Sequence, residues 1–239
     1  MGTVAAVQVR APESGEISRA LRDCVRSVFS EVEALLSAHN PGSELNKLAA
    51  LDDGGVLSRC DALVRPCYEA AFRLRDETGG RFDPRWRGKG TLDLGAIAKG
   101  FAADLAAEAA RKTPEIAKCG GLLVDIGGNL KAAKGEWRVS VFGDPSRAPL
   151  RLGENAAVAT SGAYFRGDHI VDARDGSKAS PPAYSVSAVH PSSAMLADGL
   201  STACFIYGEE EGGRFARSHY PEARIIWLHR GERGRRRPE

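Results

Sequence analysis

Cysteine is scarce and unpatterned. The 239 residues hold five, Cys24, Cys60, Cys67, Cys119 and Cys204, an odd number with no C-x-x-C pair and no histidine at zinc-finger spacing. There is no disulfide framework or zinc module to read, and ordinary reduced thiols in the interior are expected. Long apolar runs are missing as well. The longest uncharged stretch, Ala179 to Ala197, spans 19 residues but contains Pro181, Pro182, Pro191 and five serines, which excludes a membrane helix. Over residues 1–20, Arg10, Glu13, Glu16 and Arg19 interrupt what an export signal would need as a continuous apolar core. A surplus of one charge is lacking too: 33 Lys and Arg stand against 31 Asp and Glu, a net +2. The final ten residues carry five Arg against two Glu, so the rest of the chain is near −1 and nucleic-acid binding would rest on that tail alone. Walker A, G-x-G-x-x-G and G-x-S-x-G signatures are all absent.

What is present is a soluble globular composition, 43% hydrophobic and 27% charged, with 27 glycines gathered in short clusters; a usual glycine share is ~7%. A single domain over residues 1–229 and a disordered Arg-rich tail over 230–239 are expected. Ile17, Leu21, Val25, Val28, Val32, Leu35 and Leu36 recur at steps of three and four and predict a helix from Glu16 to His39, stopped by Asn40-Pro41-Gly42. A second helix carries Pro66 in its first turn and ends at Gly79-Gly80. The third is predicted from Ile97 to Arg111, with Ile97, Phe101, Leu105 and Ala109 inward and Asp104, Glu108 and Arg111 in water. Beyond Lys112 the pattern turns to strands, at 122–126, 139–142, 156–159, 184–190 and 224–229, with one further helix over 193–207. Helices and strands do not alternate strictly, so the fold class is α+β.

Three patterns could carry chemistry. Asp93-Leu94-Gly95-Ala96-Ile97-Ala98-Lys99-Gly100 is a glycine-bearing turn that enters a helix with a lysine in its first turn, where backbone N–H groups and an ammonium suit a phosphate. Asp198 and Thr202 stand one turn apart and could give two oxygen ligands to Mg²⁺. His169 precedes an acid-rich turn, Asp172-Ala173-Arg174-Asp175-Gly176, and could take a proton near neutral pH. Each also has a plain structural reading: Asp93 as a helix cap with Lys99 solvated, Thr202 bonded back along its helix, and His169 as a strand-end side chain.

Taken in order, the motifs add up to a resemblance. Met1-Gly2-Thr3, Leu36-Ser37 with Ser43-Glu44-Leu45, Gly80-Arg81-Phe82-Asp83-Pro84, Asp93 to Asp104, Asp125-Ile126-Gly127-Gly128-Asn129, Ala159-Thr160-Ser161-Gly162, His169-Ile170-Val171-Asp172 and Ala197-Asp198 to Thr202 resemble the ApbE family of FAD:protein FMN transferases. The resemblance implies an α+β fold of two halves related to the tunnelling fold, with the flavin between them. The activity it implies is Mg²⁺-dependent transfer of FMN from FAD to a Thr or Ser hydroxyl of an acceptor protein, with release of AMP. By the same match FAD contacts fall at Met1, His39, Arg81, Phe82, Asp83, Asp93, Lys99 and Ile170. The metal falls to the Ala96 carbonyl, Asp198 and Thr202, and the catalytic histidine is His169. The chain departs from the family pattern at His39, where a stacking Tyr is common, at Ala173 and Asp175, and in having no Asn six residues after Ser43. FAD hydrolysis to FMN and AMP, and a non-catalytic FAD-binding protein, are the alternatives. A cytoplasmic enzyme is expected, with an exported protein whose leader is not part of this sequence as the other possibility.

Overall fold

The computed structural model describes residues 3–11, 15–140, 149–162, 170–179, 181 and 183–229. Its frame is a six-stranded antiparallel sheet in the order β1-β2-β3-β6-β7-β8. The strands are β1 (Ala5–Arg10), β2 (Gly121–Ile126), β3 (Asn129–Lys134), β6 (Ala157–Gly162), β7 (Ala183–His190) and β8 (Arg224–His229). A separate two-stranded sheet joins β4 (Trp137–Val139) to β5 (Leu150–Leu152). The period of two sorts the faces: Val124 and Ile126 of β2 enter the main core, whereas Leu123 joins Trp137, Val139 and Leu152 on the opposite side. Gly127 and Gly128, at φ +57° and +88°, form the two-residue turn between β2 and β3, a conformation that favours glycine at both positions.

Helices cover one face. They are α1 (Gly15–Leu36), α2 (Glu44–Leu48), α3 (Asp53–Arg59), α4 (Arg65–Glu77), α5 (Ala98–Arg111), α6 (Glu115–Lys118), α7 (Ala194–Tyr207) and α8 (Glu209–His219). The apolar stripe of α1 buries Leu21, Val25, Val32 and Leu36, as the spacing predicts, but the helix ends three residues before His39. Pro66 lies in the first turn of α4, where no intrahelical N–H is missed. No helix among the described residues is long and apolar enough to cross a membrane.

Several expectations need correction. Helix α5 turns its alanines inward, with Ala102, Ala103, Ala106, Ala107 and Ala110 buried, while Leu105 and Ala109 are only half-buried. Small side chains let α5 lie close to α7 and β3, and that proximity outweighs the larger transfer energy of leucine at the contact. Asp104 is not in water: it is bonded to the start of α7. Glu108 and Arg111 are exposed as expected, and Arg111 donates to the Ala133 carbonyl and to Asn155 Oδ1. Among the described residues three helices follow Lys112 instead of one; α8, with Gly212 and Gly213 inside it, has weak helix propensity and is held by Phe215 and Ala216 in the core. The strand expected at 139–142 ends at Val139, and 141–142 lie outside the described residues, as does the tail over 230–239.

Candidate active site

The turn entering α5 is built by Asp93. Its backbone N–H donates to the Pro84 carbonyl at 2.8 Å, its Oδ1 accepts from Gly95 N–H at 2.9 Å, and its Oδ2 lies 3.3 Å from Arg87 Nη2. Asp93 therefore shapes the loop and does not cap the helix; the N-cap position is Ile97, which has no side-chain cap. The cap comes from α7. Asp198 Oδ2 accepts the Gly100 N–H at 3.0 Å and sits 3.5 Å from Lys99 Nζ. The expectation of helix N–H groups free for a phosphate is thus corrected: the Gly100 amide is taken by a carboxylate, and Ile97, Ala98 and Phe101 donate to local carbonyls. Ala96 precedes the N-cap, and no backbone donor among the described residues occupies its carbonyl. Lys99 Nζ also donates to the Gly95 carbonyl.

On α7, Asp198 and Thr202 share a buried face, at 4% and 8% exposure. Burial pushes the Asp198 carboxyl above the usual carboxylate range, against the opposing pull of Lys99 and the Gly100 N–H. Ser161 of β6 lies opposite, its hydroxyl 3.0 Å from Thr202 Oγ1 and 2.8 Å from Ser201 Oγ. Ser201, rather than Thr202, donates back along the helix, to the Asp198 carbonyl at 2.9 Å. Ala96, Asp198 and Thr202 offer one carboxylate and neutral oxygens, and no group of three or more His, Cys, Asp or Glu that could hold a metal exists among the described residues. That donor set suits Mg²⁺, which needs few protein carboxylates when phosphate oxygens complete its shell, and does not suit zinc.

A second polar group gathers around Arg81. Its guanidinium stands 3.1 Å from Glu211 and 3.8 Å from Asp172, and lies 4.5 Å from the centre of the Tyr207 ring. Arg174 holds Asp172 with two bonds of 3.0 and 2.8 Å, and its hydrogen bonds keep the Asp172 carboxyl below the usual range. The Ala173 N–H donates to the Arg81 carbonyl, so the acid-rich turn is fastened beside residues 81–83. Phe82 is buried, Asp83 Oδ1 accepts from Arg85 N–H, and Ile170 is half-buried next to Ala179, whose N–H its carbonyl accepts. His39 is exposed on the turn after α1. Met1 and His169 lie outside the described residues.

The structure therefore brings Lys99 to Asp198, with Thr202 one turn further along α7 and Ala96 in the turn that enters α5, and it gathers Arg81 with the turn after Ile170 in a separate group. Sequence reasoning missed Asp104 and Lys131, which fix the start of α7. The one available signal was Lys131 itself, a charged residue whose register puts it on the helix-covered face of β3, where Ala133 is buried.

A family model described as the ApbE family matches residues 85–227. A curated relative, the FAD:protein FMN transferase of Treponema pallidum (strain Nichols), is 35% identical over a region covering 50% of this chain and 39% of the relative. The match thus spans well under half of that relative's length. Among solved structures, the flavin transferase ApbE from Vibrio cholerae aligns with a TM-score of 0.75 at 22% identity over 96% of this chain and 91% of that one. The Pseudomonas stutzeri flavinyl transferase ApbE in its apo form gives 0.74 at 20% identity over 95% and 91%. The apbe protein of Thermotoga maritima gives 0.72 at 21% over 95% and 91%. At these identities the likeness to the solved structures is one of fold.

Proposed function

The chain belongs to the ApbE family, and from that premise we propose that it transfers FMN from FAD to a Thr or Ser hydroxyl of an acceptor protein with release of AMP. The observation that carries this reading is the meeting of Lys99 and Asp198, 3.5 Å apart across 99 residues of sequence. Two otherwise weak patterns become one site for a diphosphate and its counter-cation. Asp198, Thr202 and the Ala96 carbonyl would hold Mg²⁺, which supplies charge neutralisation to the diphosphate and to the leaving phosphate.

The chain's own residues do the rest. Lys99, pinned near Asp198 and Gly95, presents an ammonium to the phosphate oxygens and stabilises the charge that moves onto AMP. Arg81, Phe82 and Asp83, with Ile170, contact the flavin portion. His169 accepts the proton as the acceptor oxygen bonds to the FMN phosphorus, while the bond from phosphorus to the AMP oxygen breaks and its electron pair leaves with AMP. This transfer needs positioning and electrostatic stabilisation and no protein-bound covalent intermediate.

The test is incubation with FAD, Mg²⁺ and a threonine-bearing candidate acceptor, read by mass spectrometry of the acceptor and chromatography of the nucleotides. An FMN-sized addition with one AMP released for each is expected. Free FMN and AMP without an adduct would replace the reading with hydrolysis, and unchanged FAD would leave only a binding role.

A further inference from the structure

Helices α5 and α7 cap each other. Asp104, one turn beyond Gly100 on α5, accepts the Ala194 N–H on Oδ1 at 2.9 Å, and the Met195 N–H and Ser193 hydroxyl on Oδ2 at 2.9 Å each. Asp198, one turn beyond Ala194 on α7, returns the contact by accepting the Gly100 N–H at 3.0 Å. Each carboxylate thus satisfies orphan donors at the start of the opposite helix. The two backbones nearly touch between these bonds, since a Cβ on Gly100 would lie 2.1 Å from the Ala194 carbonyl oxygen.

Behind Asp104 stands Lys131 of β3, 2% exposed. Its ammonium has three protons and three partners: Asp104 Oδ1 at 3.1 Å, the Asn155 carbonyl at 2.8 Å and the Ser192 carbonyl at 2.6 Å. A buried lysine so fully engaged fixes both the capping carboxylate and the chain entering α7. Neither charge is a surface ornament: Glu108 and Lys112 on the exposed side of α5 form the ordinary solvated pair, at 58% and 73% side-chain exposure.

We infer that Asp104 and Lys131 are positioning residues, which set the spacing of α5 and α7 at their N-terminal ends and so place Asp198 and Thr202 against Lys99 and the Ala96 carbonyl. Asp104 does not touch the proposed ligand, because its oxygens are directed at α7 and Lys131. The kinetic part of the inference rests on the proposed function; the structural part does not. A displacement of about 1 Å between reacting groups costs on the order of 10²-fold in rate.

The experiment uses Asp104→Asn, isosteric but uncharged, beside Leu152→Ala, a cavity variant in the cluster on the other face of the sheet. Backbone amide exchange is followed by NMR on the intact chain, and FAD turnover is measured with Mg²⁺. In Asp104→Asn the Gly100 amide, on a helix whose own bonds are untouched by the substitution, exchanges at least tenfold faster. There kcat falls at least tenfold with KM for FAD within threefold, while Leu152→Ala lowers Tm without either change. An unchanged Gly100 amide in folded Asp104→Asn overturns the inference, as does an equal fall in kcat in Leu152→Ala. Should Asp104→Asn not fold, Ser193→Ala, which removes one of the bonds to Asp104, must accelerate Gly100 exchange at least threefold or the inference is lost. A wild-type chain inactive on FAD refutes the proposed function alone, and the amide measurement still decides the positioning role.

Discussion

Replacing Gly100 with alanine sets helix propensity against packing, and the two predict opposite signs. In an isolated helix Gly→Ala is favourable by about 1 kcal/mol. Here the new Cβ would lie 2.1 Å from the Ala194 carbonyl oxygen, 2.5 Å from its carbon and 2.8 Å from Met195 N, against an ordinary contact of 3.4–4 Å. All three are backbone atoms and cannot rotate away, so α5 and α7 must separate by about 1 Å or more. Overpacking of that kind costs about 1–3 kcal/mol. Separation also stretches the 3.0 Å bond from Gly100 to Asp198, a hydrogen bond to a charged group that contributes about 1.5–3 kcal/mol. Net destabilisation is then about 1.5–5 kcal/mol after the propensity gain. Urea unfolding followed by circular dichroism measures it, with Tm expected to fall roughly 2–4 °C per kcal/mol in a chain of this size. Gly213 on α8 is the internal control: its Cβ would meet only the flexible end of Arg217, at 3.2 Å, so Gly213→Ala should stabilise by about 0.5–1 kcal/mol. A Gly100→Ala chain as stable as wild type would show that α5 and α7 do not make this contact, and the site built across it would fall as well.

Three further outcomes are expected. His169→Ala should lower FMN transfer by about 10²–10⁴-fold and leave FAD affinity, measured by fluorescence titration, within about twofold; lost affinity would make His169 a binding residue. Burial alone would raise the Asp53 carboxyl, but hydrogen bonds from Arg75 and Arg85 outweigh it and hold it below the usual range. Its stabilising contribution is therefore present above the unfolded value of about 3.9 and lost as pH falls through the lower folded value, so Asp53→Asn should cost about 1–3 kcal/mol at pH 7 and nothing in strong acid; a difference in urea midpoint independent of pH would contradict this. Asp198→Asn should unfold at or above the wild-type temperature yet lose any Mg²⁺-dependent rise in Tm, whereas Asp198→Ala also leaves the Gly100 N–H unpaired, at about 1–3 kcal/mol.

Much of the fold was legible because its signals are local. The stripe from Ile17 to Leu36, Pro66 in a first turn and the apolar run Arg224–His229 each lie within one element, and the elements form there. What escaped depends on partners distant in sequence. Strand β1 carries little pattern of its own and is fixed by its ladder to β2, Ala5 opposite Ile126 through Arg10 opposite Gly121. The inward face of α5 was misread because leucine was weighted by hydrophobicity, when the contact with α7 demands small residues. The site divides in the same way. Lys99, Asp198 and Thr202 each stood out by residue type, but only the fold reveals that Asp198 caps the helix of Lys99, that Ser161 meets Thr202, and that Asp104 and Lys131 stand behind both.

That capping bond resolves an apparent conflict in the proposed site. A carboxylate spent on a helix N-terminus would seem lost to a metal, and an amide spent on a carboxylate is lost to a phosphate. Gly100 N–H reaches only Oδ2 of Asp198, however, and a carboxylate has two oxygens with about four lone-pair directions between them, so capping and ligation are compatible on one side chain. The bond orients the Asp198 carboxylate, while the Ala96 carbonyl, one residue before the N-cap Ile97, lies outside the helical ladder. The cost is that the start of α5 no longer offers that N–H to a phosphate. In the proposed site anion recognition would then fall to Lys99 and the cation, and binding of a diphosphate would be strong only with the metal present.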